Sequence, residues 1–329
     1  MITVYVEADS TVKQVTLTAE DPLPDNAIWV DILEPSDAER EAMGQKLGFP
    51  LPTAADMHEI EATSRTYADY GALFVTAPTI STTEGGRPKS EPTTFIIDNK
   101  RLTTLRLTET GSVDRFAQEL LVRPDQPHDP ADLLIGLIGA ILDRLADLIE
   151  FVIKRVEAIS AKIFSDDSTG NTRRKGRERK RAMQESLRAI GRDGRMLARI
   201  RSSLTGFERV LGFLATRLSD LGPAQTAALS HARRDAASLI QHADFQEQQI
   251  EFLLDATVGL ITIEQTEIVR VLSIAATVFL PPTLIASLYG MNFANMPELS
   301  SPIGYPLVLV AMLISVIAPL WYFRRKGWM

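Results

Sequence analysis

Residues 271–323 read VLSIAATVFLPPTLIASLYGMNFANMPELSSPIGYPLVLVAMLISVIAPLWYF, and Glu298 is the only charged residue among them. Two parts of this stretch, Val271–Tyr289 and Tyr305–Phe323, are each about 19 residues long, enough to cross roughly 30 Å of hydrocarbon at about 1.5 Å per residue. A pair of buried core helices is the alternative, but core helices of soluble proteins seldom run this far without a charge. The sequence therefore predicts two transmembrane helices, at 271–289 and 305–323.

Basic residues flank the two predicted spans on one side only. Arg270 precedes the first span and 324–326 (Arg-Arg-Lys) follow the second, whereas the loop at 290–304 has no Lys or Arg. Because loops rich in Lys and Arg stay inside, we expect both termini in the cytoplasm, with 324–329 as a basic tail. The first ten residues contain no apolar signal region, so we expect the large N-terminal part to stay inside and the chain to lie in the plasma membrane, the inner membrane of a bacterium.

The composition of the chain excludes several kinds of function. The 329 residues carry 35 Lys and Arg against 42 Asp and Glu, a net charge of −7, which disfavours binding to nucleic acid. The absence of cysteine rules out disulfides, thiolate metal sites and cysteine nucleophiles. The four histidines form no H-E-x-x-H motif, and the phosphate-binding pattern G-x-x-x-x-G-K-[ST] does not occur. We therefore expect neither an enzyme nor an ATP-driven pump.

Residues 1–130 have the pattern of an α/β domain. Six short runs rich in β-branched and aromatic residues predict strands: Ile2–Val6, Val12–Thr18, Ala27–Leu33, Ala72–Ala77, Thr93–Ile97 and Leu102–Leu107. The pair Asp98-Asn99 predicts a hairpin turn between the last two strands. Ser36 and Glu39 form a capping-box pattern, which predicts a short helix after Ser36.

Residues 131–223 predict long cytoplasmic helices. Apolar residues recur there at three- and four-residue spacing, and the pattern is interrupted only at Ser165–Thr172 and at Asp220–Pro223. This part of the chain is therefore expected to consist of two helices before the last break.

A third long helix is expected to carry the chain into the membrane. From Ala224 no proline occurs before Pro281-Pro282, which predicts a stalk at 224–270 continuous with the first span at 271–289. A helix on the order of 100 Å long needs partners along its length. We therefore expect a homo-oligomer around a central axis.

The most specific motif is Gly290-Met291-Asn292, at the outer end of the first predicted span. It opens the external loop predicted at 290–304. A glycine helix cap with Asn in the following turn is the alternative explanation. The position of the motif, at the end of the first of two C-terminal spans, favours a functional role.

With its surroundings, this motif resembles the CorA magnesium/cobalt transporter family over nearly the whole chain. The similar segments are VFLPPTL (278–284), YGMNF (289–293), MPEL (296–299), GYP (304–306) and YFRRK (322–326), with WVDILEP (29–35), Glu39-Arg40 and EIEA (59–62) in the N-terminal part. The resemblance implies an α+β membrane protein: an N-terminal α/β/α cytoplasmic domain, a long stalk helix and two C-terminal transmembrane helices. It also implies a funnel-shaped homopentamer in which five first spans line a pore.

The function implied by the resemblance is passive uptake of Mg²⁺, with Co²⁺ as a second ion. Mg²⁺ gives up its water reluctantly, so a selective pore does better to bind the hydrated ion. A ring of Asn292 side chains would accept hydrogen bonds from the coordinated waters without the charge of a carboxylate. Gly290 would let the backbone turn where a side chain would crowd the axis. The expected selectivity filter is therefore Gly290, Met291 and Asn292.

Further residues of the first span are expected to line the pore. Val269, Leu272 and Leu280 match family positions that form a hydrophobic constriction, although ordinary helix packing also explains Val269. Thr283 matches a polar family position. Ser287 lies on a comparable face, as do Ser273 and Thr277, whose hydroxyls could equally bond to their own helix.

Acidic residues outside the spans are candidates for attracting or binding cations. In the outer loop, Glu298 in five copies would concentrate cations at the mouth, or is simply a solvated loop residue. Asp255 matches an acidic stalk position of some family members and would form a regulatory ring of metal ligands. Asp56, Glu59 and Glu61 are further candidate ligands of regulatory Mg²⁺, with a solvated helix face as the alternative.

The segment Arg173–Arg181 departs from the family pattern, because family members often carry acids there. It holds seven basic residues in nine, at the predicted turn between two helices. It is either a solvated loop or a surface that docks on anionic lipid head groups, at about 1 kcal/mol per basic residue.

Two other functions remain open at the level of sequence. The first is a Zn²⁺ or Ni²⁺ transporter of the same superfamily, which shares the Gly-Met-Asn motif; the MPEL pattern favours Mg²⁺ and Co²⁺. The second is a membrane-anchored cytoplasmic scaffold or sensor without transport, which the polar residues of the first span disfavour.

Overall fold

A computed structural model gives the fold and describes residues 1–8, 11–59, 61–82, 88–122, 129–164, 172–218, 221–291 and 303–328; at 62, 82 and 172–180 it describes the backbone alone. The chain divides into two compact units. The first unit is Met1–Asn171 with Gln184–Leu253, and the second is Thr172–Met183 with Leu254–Met329.

The described residues of the first unit form one mixed sheet of seven strands. They are β1 (Ile2–Ala8), β2 (Thr11–Leu17), β3 (Ala27–Leu33), β4 (Thr66–Asp69), β5 (Ala72–Thr82), β6 (Pro88–Ile97) and β7 (Leu102–Arg106). Their order is β2-β1-β3-β7-β6-β5-β4; β3 and β7 run parallel, and all other neighbours run antiparallel. All six predicted strands are confirmed. The sequence did not predict β4, a four-residue strand at the sheet edge that is too short and too exposed to show a pattern.

The described residues form eight helices. They are α1 (Asp37–Leu47), α2 (Ala54–His58), α3 (Ala62–Arg65), α4 (Gly111–Val122), α5 (Pro130–Phe164), α6 (Thr172–Arg217), α7 (Pro223–Tyr289) and α8 (Gly304–Arg325). The predicted capping box is confirmed at α1, where Ser36 Oγ accepts from the Glu39 N–H at 3.3 Å and Glu39 Oε2 accepts from the Ser36 N–H at 2.8 Å. The predicted hairpin after β6 is confirmed too, because Asp98 Oδ1 accepts from the N–H groups of Lys100 and Arg101.

Helices cover both faces of the sheet. On one face, Met43 of α1 joins Phe74 and Leu105 in an apolar core. All three side chains are buried. On the other face, Trp29 contacts Phe116 of α4 edge-on, with ring centroids 5.8 Å apart, and α5 packs against β3, β6 and β7. Burying each of these large side chains contributes roughly 1.5–3 kcal/mol. The predicted α/β/α arrangement of the N-terminal part is thus confirmed.

A buried polar network joins β3 to β7. Asp31 and Arg106, whose side chains are each 4% exposed, form an ion pair through two hydrogen bonds. Thr104 Oγ1 donates to Asp31 Oδ1 at 2.5 Å and accepts from Trp29 Nε1 at 3.0 Å. Burial opposes the charge of Arg106, but Asp31 and then Asp114 outweigh it, so that the pKa of Arg106 is raised. The network therefore pairs opposite charges between β3 and β7 and stabilises the parallel pairing of these two strands.

The long helices of the first unit are held to each other and to the sheet. Asp193 of α6 is buried and pairs with Arg155 of α5 at 3.0 Å. Gly206 of α6 lies against Pro78 of β5, where a Cβ would come within 2.6 Å of the Pro78 Cδ. Only glycine allows α6 to approach the sheet this closely.

In the second unit, α8 and the C-terminal part of α7 are long and apolar enough to cross a membrane. The predicted spans fall inside these helices. α7 continues to Tyr289 through Pro281 and Pro282. Because proline has no N–H, the backbone carbonyls of Thr277 and Val278 do not receive the helical hydrogen bond that residues 281 and 282 would otherwise donate.

Candidate functional site

One face of α7 is open over the part expected to cross the membrane. Val269, Leu272, Leu280, Thr283 and Ser287 are all exposed, the three apolar ones by more than 60%. At about 3.6 residues per turn, these positions fall within an arc of about 80°. The predicted pore-lining residues therefore share one face, which the rest of the described chain leaves open.

The opposite face of α7 is partly covered. Ile274 is 9% exposed, and Val278, Ile285 and Tyr289 are half-buried. These four positions lie about 140–200° around the helix from Val269. The covered residues thus form a narrow stripe opposite the predicted pore-lining residues. Most of the remaining surface is exposed as well, since Val271, Phe279 and Leu284 are each more than 60% exposed.

Helix α8 carries a matching covered stripe. Its half-buried residues recur every three or four positions from Gly304 to Phe323. Arg270 directly precedes the first predicted span. Its guanidinium lies 5.8 Å from the centroid of the ring of Trp328, which follows the end of α8. The stripe and this contact indicate that α7 and α8 pack antiparallel through their covered faces.

The hydroxyls on α7 bond to their own helix. Thr277 Oγ1 donates to the Ser273 carbonyl at 2.8 Å, so the alternative of back-bonding is confirmed for Thr277. Thr283 Oγ1 lies 2.9 Å from the carbonyls of Phe279 and Leu280, to which it donates. A hydroxyl that donates its hydrogen in this way can still accept hydrogen bonds through the lone pairs of its oxygen. Thr283 on the open face is therefore held as an acceptor, which suits the outward-pointing hydrogens of a hydrated cation.

The predicted filter begins where α7 ends. The Gly290 N–H donates to the Ala286 carbonyl at 2.9 Å, and a Cβ on Gly290 would lie 3.0 Å from the same oxygen. Its φ is not in the left-handed region, so Gly290 is not a left-handed glycine cap. Met291 is exposed. Asn292 and Glu298 lie outside the described residues, and their predicted roles stay predictions.

The predicted regulatory acids do not form one site within the chain. Asp56 Oδ2 accepts from the backbone N–H and the hydroxyl of Thr53 at 2.8 Å each, which caps α2 and lowers the pKa of Asp56. Glu59, Glu61 and Asp255 are exposed. Across the described ranges, no three His, Asp or Glu side chains come together in a group that could hold a metal ion.

The basic segment Arg173–Arg181 is helical, not a turn. It lies in about the first three turns of α6. Thr172–Met183 belongs to the second unit, which by sequence holds 11 Lys and Arg against 5 Asp and Glu, a net +6. The first unit holds 24 against 37, a net −13. Positive charge is therefore concentrated in the unit that contains the apolar helices.

The contact between Arg270 and Trp328 was not predicted from the sequence. No local pattern links two residues so far apart. The available signal was Gly327, two residues after α8 ends, since glycine there is typical of a chain that folds back.

Comparison with known proteins relates the chain to one family in sequence and in fold. The profile of the family described as "CorA-like Mg2+ transporter protein" matches residues 24–325. The magnesium transport protein CorA of Pasteurella multocida (strain Pm70) is 32% identical over 304 residues, 92% of each chain. That of Yersinia pseudotuberculosis serotype I (strain IP32953) is 31% identical over 329 residues, all of both chains. The fold is similar to the complete structure of the CorA magnesium transporter from Methanocaldococcus jannaschii, with a TM-score of 0.75 and 18% identity over 100% of this chain and 99% of that one.

Proposed function

The chain belongs to the CorA-like Mg²⁺ transporter family and is a magnesium transporter, and from this premise we propose that five copies form a passive pore lined by the open face of α7. The observation that carries the proposal is the covered stripe of α7, which lies opposite the predicted pore-lining residues. The covered face packs toward α8, which leaves Val269, Leu280 and Thr283 free to face other copies. Two spans per chain are too few to enclose a pore, so the open faces of several copies are needed.

The order of residues along α7 gives the pore three zones. At the cytoplasmic end, rings of Val269 and Leu272 make an apolar constriction, with Leu280 as a second ring farther out. Apolar rings close a pore by excluding water. Thr283 and Ser287 follow as hydroxyl rings, and Gly290, Met291 and Asn292 complete the outer end as the filter.

Ion selection rests on acceptor oxygens. Mg²⁺ holds its water shell strongly, so the filter is proposed to bind the hydrated ion through the amide oxygens of Asn292. Thr283 then offers acceptor oxygens one step farther in. Neutral acceptors hold the ion without trapping it. Co²⁺ is proposed as a second transported ion.

The membrane potential is the proposed driving force. Moving one charge across 100 mV is worth about 2.3 kcal/mol, so a divalent ion gains about twice that amount. Glu298 in five copies would raise the local cation concentration at the outer mouth. The proposed location is the plasma membrane, with both termini in the cytoplasm, because the basic residues flank the spans at Arg270 and after α8.

Regulation is proposed to involve Mg²⁺ bound between copies. Asp255 is exposed on α7 and would form a ring around the axis in a pentamer. Glu59 and Glu61 are exposed as well, whereas Asp56 already caps α2 and is the weakest candidate. Loss of such ions would leave like charges facing each other and loosen the assembly.

The basic segment Arg173–Arg181 is proposed to dock on anionic lipid head groups. Its place in the positively charged second unit supports this. Replacing its seven basic residues by Gln should remove any stimulation of Mg²⁺ influx by phosphatidylglycerol in reconstituted vesicles, and an unchanged stimulation would contradict the proposal.

The face assignment can be tested with single cysteines, because the natural chain has none. Thr283→Cys and Ser287→Cys are placed on the open face, and Val278→Cys and Ile285→Cys on the covered face serve as matched controls. A membrane-impermeant cationic thiol reagent is then applied to full-length protein in vesicles, and Mg²⁺ influx is measured before and after. We expect influx to fall at least about fivefold for the open-face variants, because each modified thiol adds a repelling charge in the pore.

For the covered-face variants, influx should change by less than about one third. Equal inhibition on both faces, or inhibition only from the covered face, would contradict the pore assignment.

A further inference from the structure

Residues 326–328 form a hook at the end of α8. Gly327 has a φ of +70°, in the left-handed region. Its N–H donates to the Arg324 carbonyl at 3.2 Å, and the Trp328 N–H donates to the Phe323 carbonyl at 3.0 Å. This pair of bonds is the Schellman arrangement that ends many helices. The position of Trp328 is therefore set by backbone hydrogen bonds.

The hook brings the Trp328 ring to two partners. It stacks on Phe323 with centroids 5.6 Å apart and an interplanar angle of 17°. On α7, the Arg270 guanidinium lies 5.8 Å from the centre of the same ring, within the range of a cation–π interaction. Trp328 thus links the end of α8 to the start of the first span.

Two other cation–aromatic pairs lie nearby but make no such link. Arg325 lies 5.3 Å from the Trp321 ring, and Lys326 Nζ lies 5.7 Å from the Tyr322 ring. Each joins residues four apart at the end of α8. They provide an internal comparison for the contact that connects two helices.

The linked position on α7 is adjacent to the proposed constriction. Arg270 directly follows Val269 and lies two residues before Leu272, so a displacement of Arg270 moves both apolar rings. Water enters or leaves an apolar constriction over a small change of radius. A contact of modest strength at this point can therefore change ion flux several-fold.

We propose that Trp328 and Arg270 are positioning residues of the inner constriction: the C-terminal hook holds α7 against α8 so that the rings of Val269 and Leu272 stay narrow. This inference rests on the proposed pore along the open face of α7. Loosening the hook should widen the constriction and raise the flux.

The first test compares Mg²⁺ influx in vesicles for full-length Trp328→Ala, Trp328→Phe and Trp321→Ala. Trp328→Ala should conduct at least about threefold faster than the natural protein, because the link to α7 is lost. Trp328→Phe keeps an aromatic face for Arg270 and should stay within about 1.5-fold. Trp321→Ala removes only a contact within α8, so its influx should also stay within about 1.5-fold of the natural protein. Equal rates for Trp328→Ala and Trp321→Ala, or slower influx in Trp328→Ala, would overturn the inference.

A double-mutant cycle separates the link from the charge of Arg270. If Arg270 acts through Trp328, the combination of Arg270→Gln with Trp328→Ala should be no faster than the faster single variant. Independent effects would instead multiply, and that result would overturn the inference.

A second readout does not depend on transport. In the Leu272→Cys background, a short bifunctional thiol reagent should link copies across the axis, and adding Trp328→Ala should slow this reaction at least about threefold, whereas Trp321→Ala should leave it unchanged. Equal crosslinking in both backgrounds would overturn the positioning role. If the natural protein carried no Mg²⁺ but Trp328→Ala still slowed the crosslinking, the proposed pore would fail while the positioning role stood.

Discussion

Replacing Asn292 by alanine is expected to abolish Mg²⁺ influx. In the proposed pentamer the substitution removes five amide oxygens that accept hydrogen bonds from the water shell of the ion. A hydrogen bond to a charged group contributes about 1.5–3 kcal/mol, and each 1.4 kcal/mol corresponds to about a tenfold change. Loss of only two such bonds would therefore lower influx by about a hundredfold. The measurement is Mg²⁺ uptake by vesicles that contain the purified full-length variant.

Asn295→Ala is the matched control. Asn295 lies three residues farther along the sequence, within the predicted external loop and outside the Gly-Met-Asn motif, so its substitution should leave influx within about twofold of the natural protein. Asn292→Asp should also reduce influx, because a ring of carboxylates binds the cation too tightly for release. Influx at the natural rate in Asn292→Ala, or equal losses in Asn292→Ala and Asn295→Ala, would show that the filter has been placed wrongly.

The second large effect is expected on stability, from Asp31→Ala. Asp31 is buried and accepts hydrogen bonds from Arg106 and Thr104. Its removal leaves the buried guanidinium with Asp114, whose side chain is 46% exposed. Breaking a buried pair by removing one partner typically costs 3–5 kcal/mol. Since about 1 kcal/mol shifts the Tm of a unit this size by 2–4 °C, the expected loss is about 6–20 °C.

The measurement is thermal unfolding of the full-length protein in detergent, with Asp37→Ala as control. Asp37 pairs with Arg40 at 3.3 Å, but its side chain is 99% exposed, and surface pairs of this kind contribute at most about 1 kcal/mol. If Asp31→Ala and Asp37→Ala unfold within about 2 °C of each other, the buried network does not have the structural role described above.

The helices and strands of this chain could be predicted where their sequence signal is local and repeated. The third long helix was predicted from Ala224 and begins at Pro223, because a proline break precedes it and no other proline occurs for nearly sixty residues. The strands β3 and β7 were predicted within one residue because their β-branched residues are contiguous.

Features that depend on distant partners escaped prediction. Asp31 and Arg106 are isolated charges in apolar strands, which hints at pairing, but the partner follows only from the parallel register of β3 and β7. Helix α4 was not predicted, although Thr110 is a favourable N-cap residue directly before it and the apolar residues Val113, Ala117 and Leu120 recur at helical spacing. Asp56 was predicted as a possible metal ligand, although the Thr-x-x-Asp pattern at Thr53 is a local capping signal that the structure uses.

The candidate site, too, was predicted only in part from the sequence. Val269, Leu280 and Thr283 were predicted from their match to family positions, and Ser287 from its helical spacing. In the structure all four side chains are exposed and lie on one face of α7. What periodicity does not give is which face a second helix covers. The half-buried positions from Ile274 to Tyr289 and the Arg270–Trp328 contact supply that information.

Ion uptake by the purified natural protein tests the central claim most directly. Full-length protein is reconstituted in vesicles without ATP, an inside-negative potential is imposed, and uptake of Mg²⁺, Co²⁺, Ni²⁺ and Zn²⁺ is followed separately. At 100 mV a divalent ion gains about 4.6 kcal/mol on entry, so we predict Mg²⁺ uptake that grows with the potential, accompanied by Co²⁺ uptake. Uptake of Zn²⁺ or Ni²⁺ without Mg²⁺, or no uptake of any of the four ions, would contradict a passive Mg²⁺ pore.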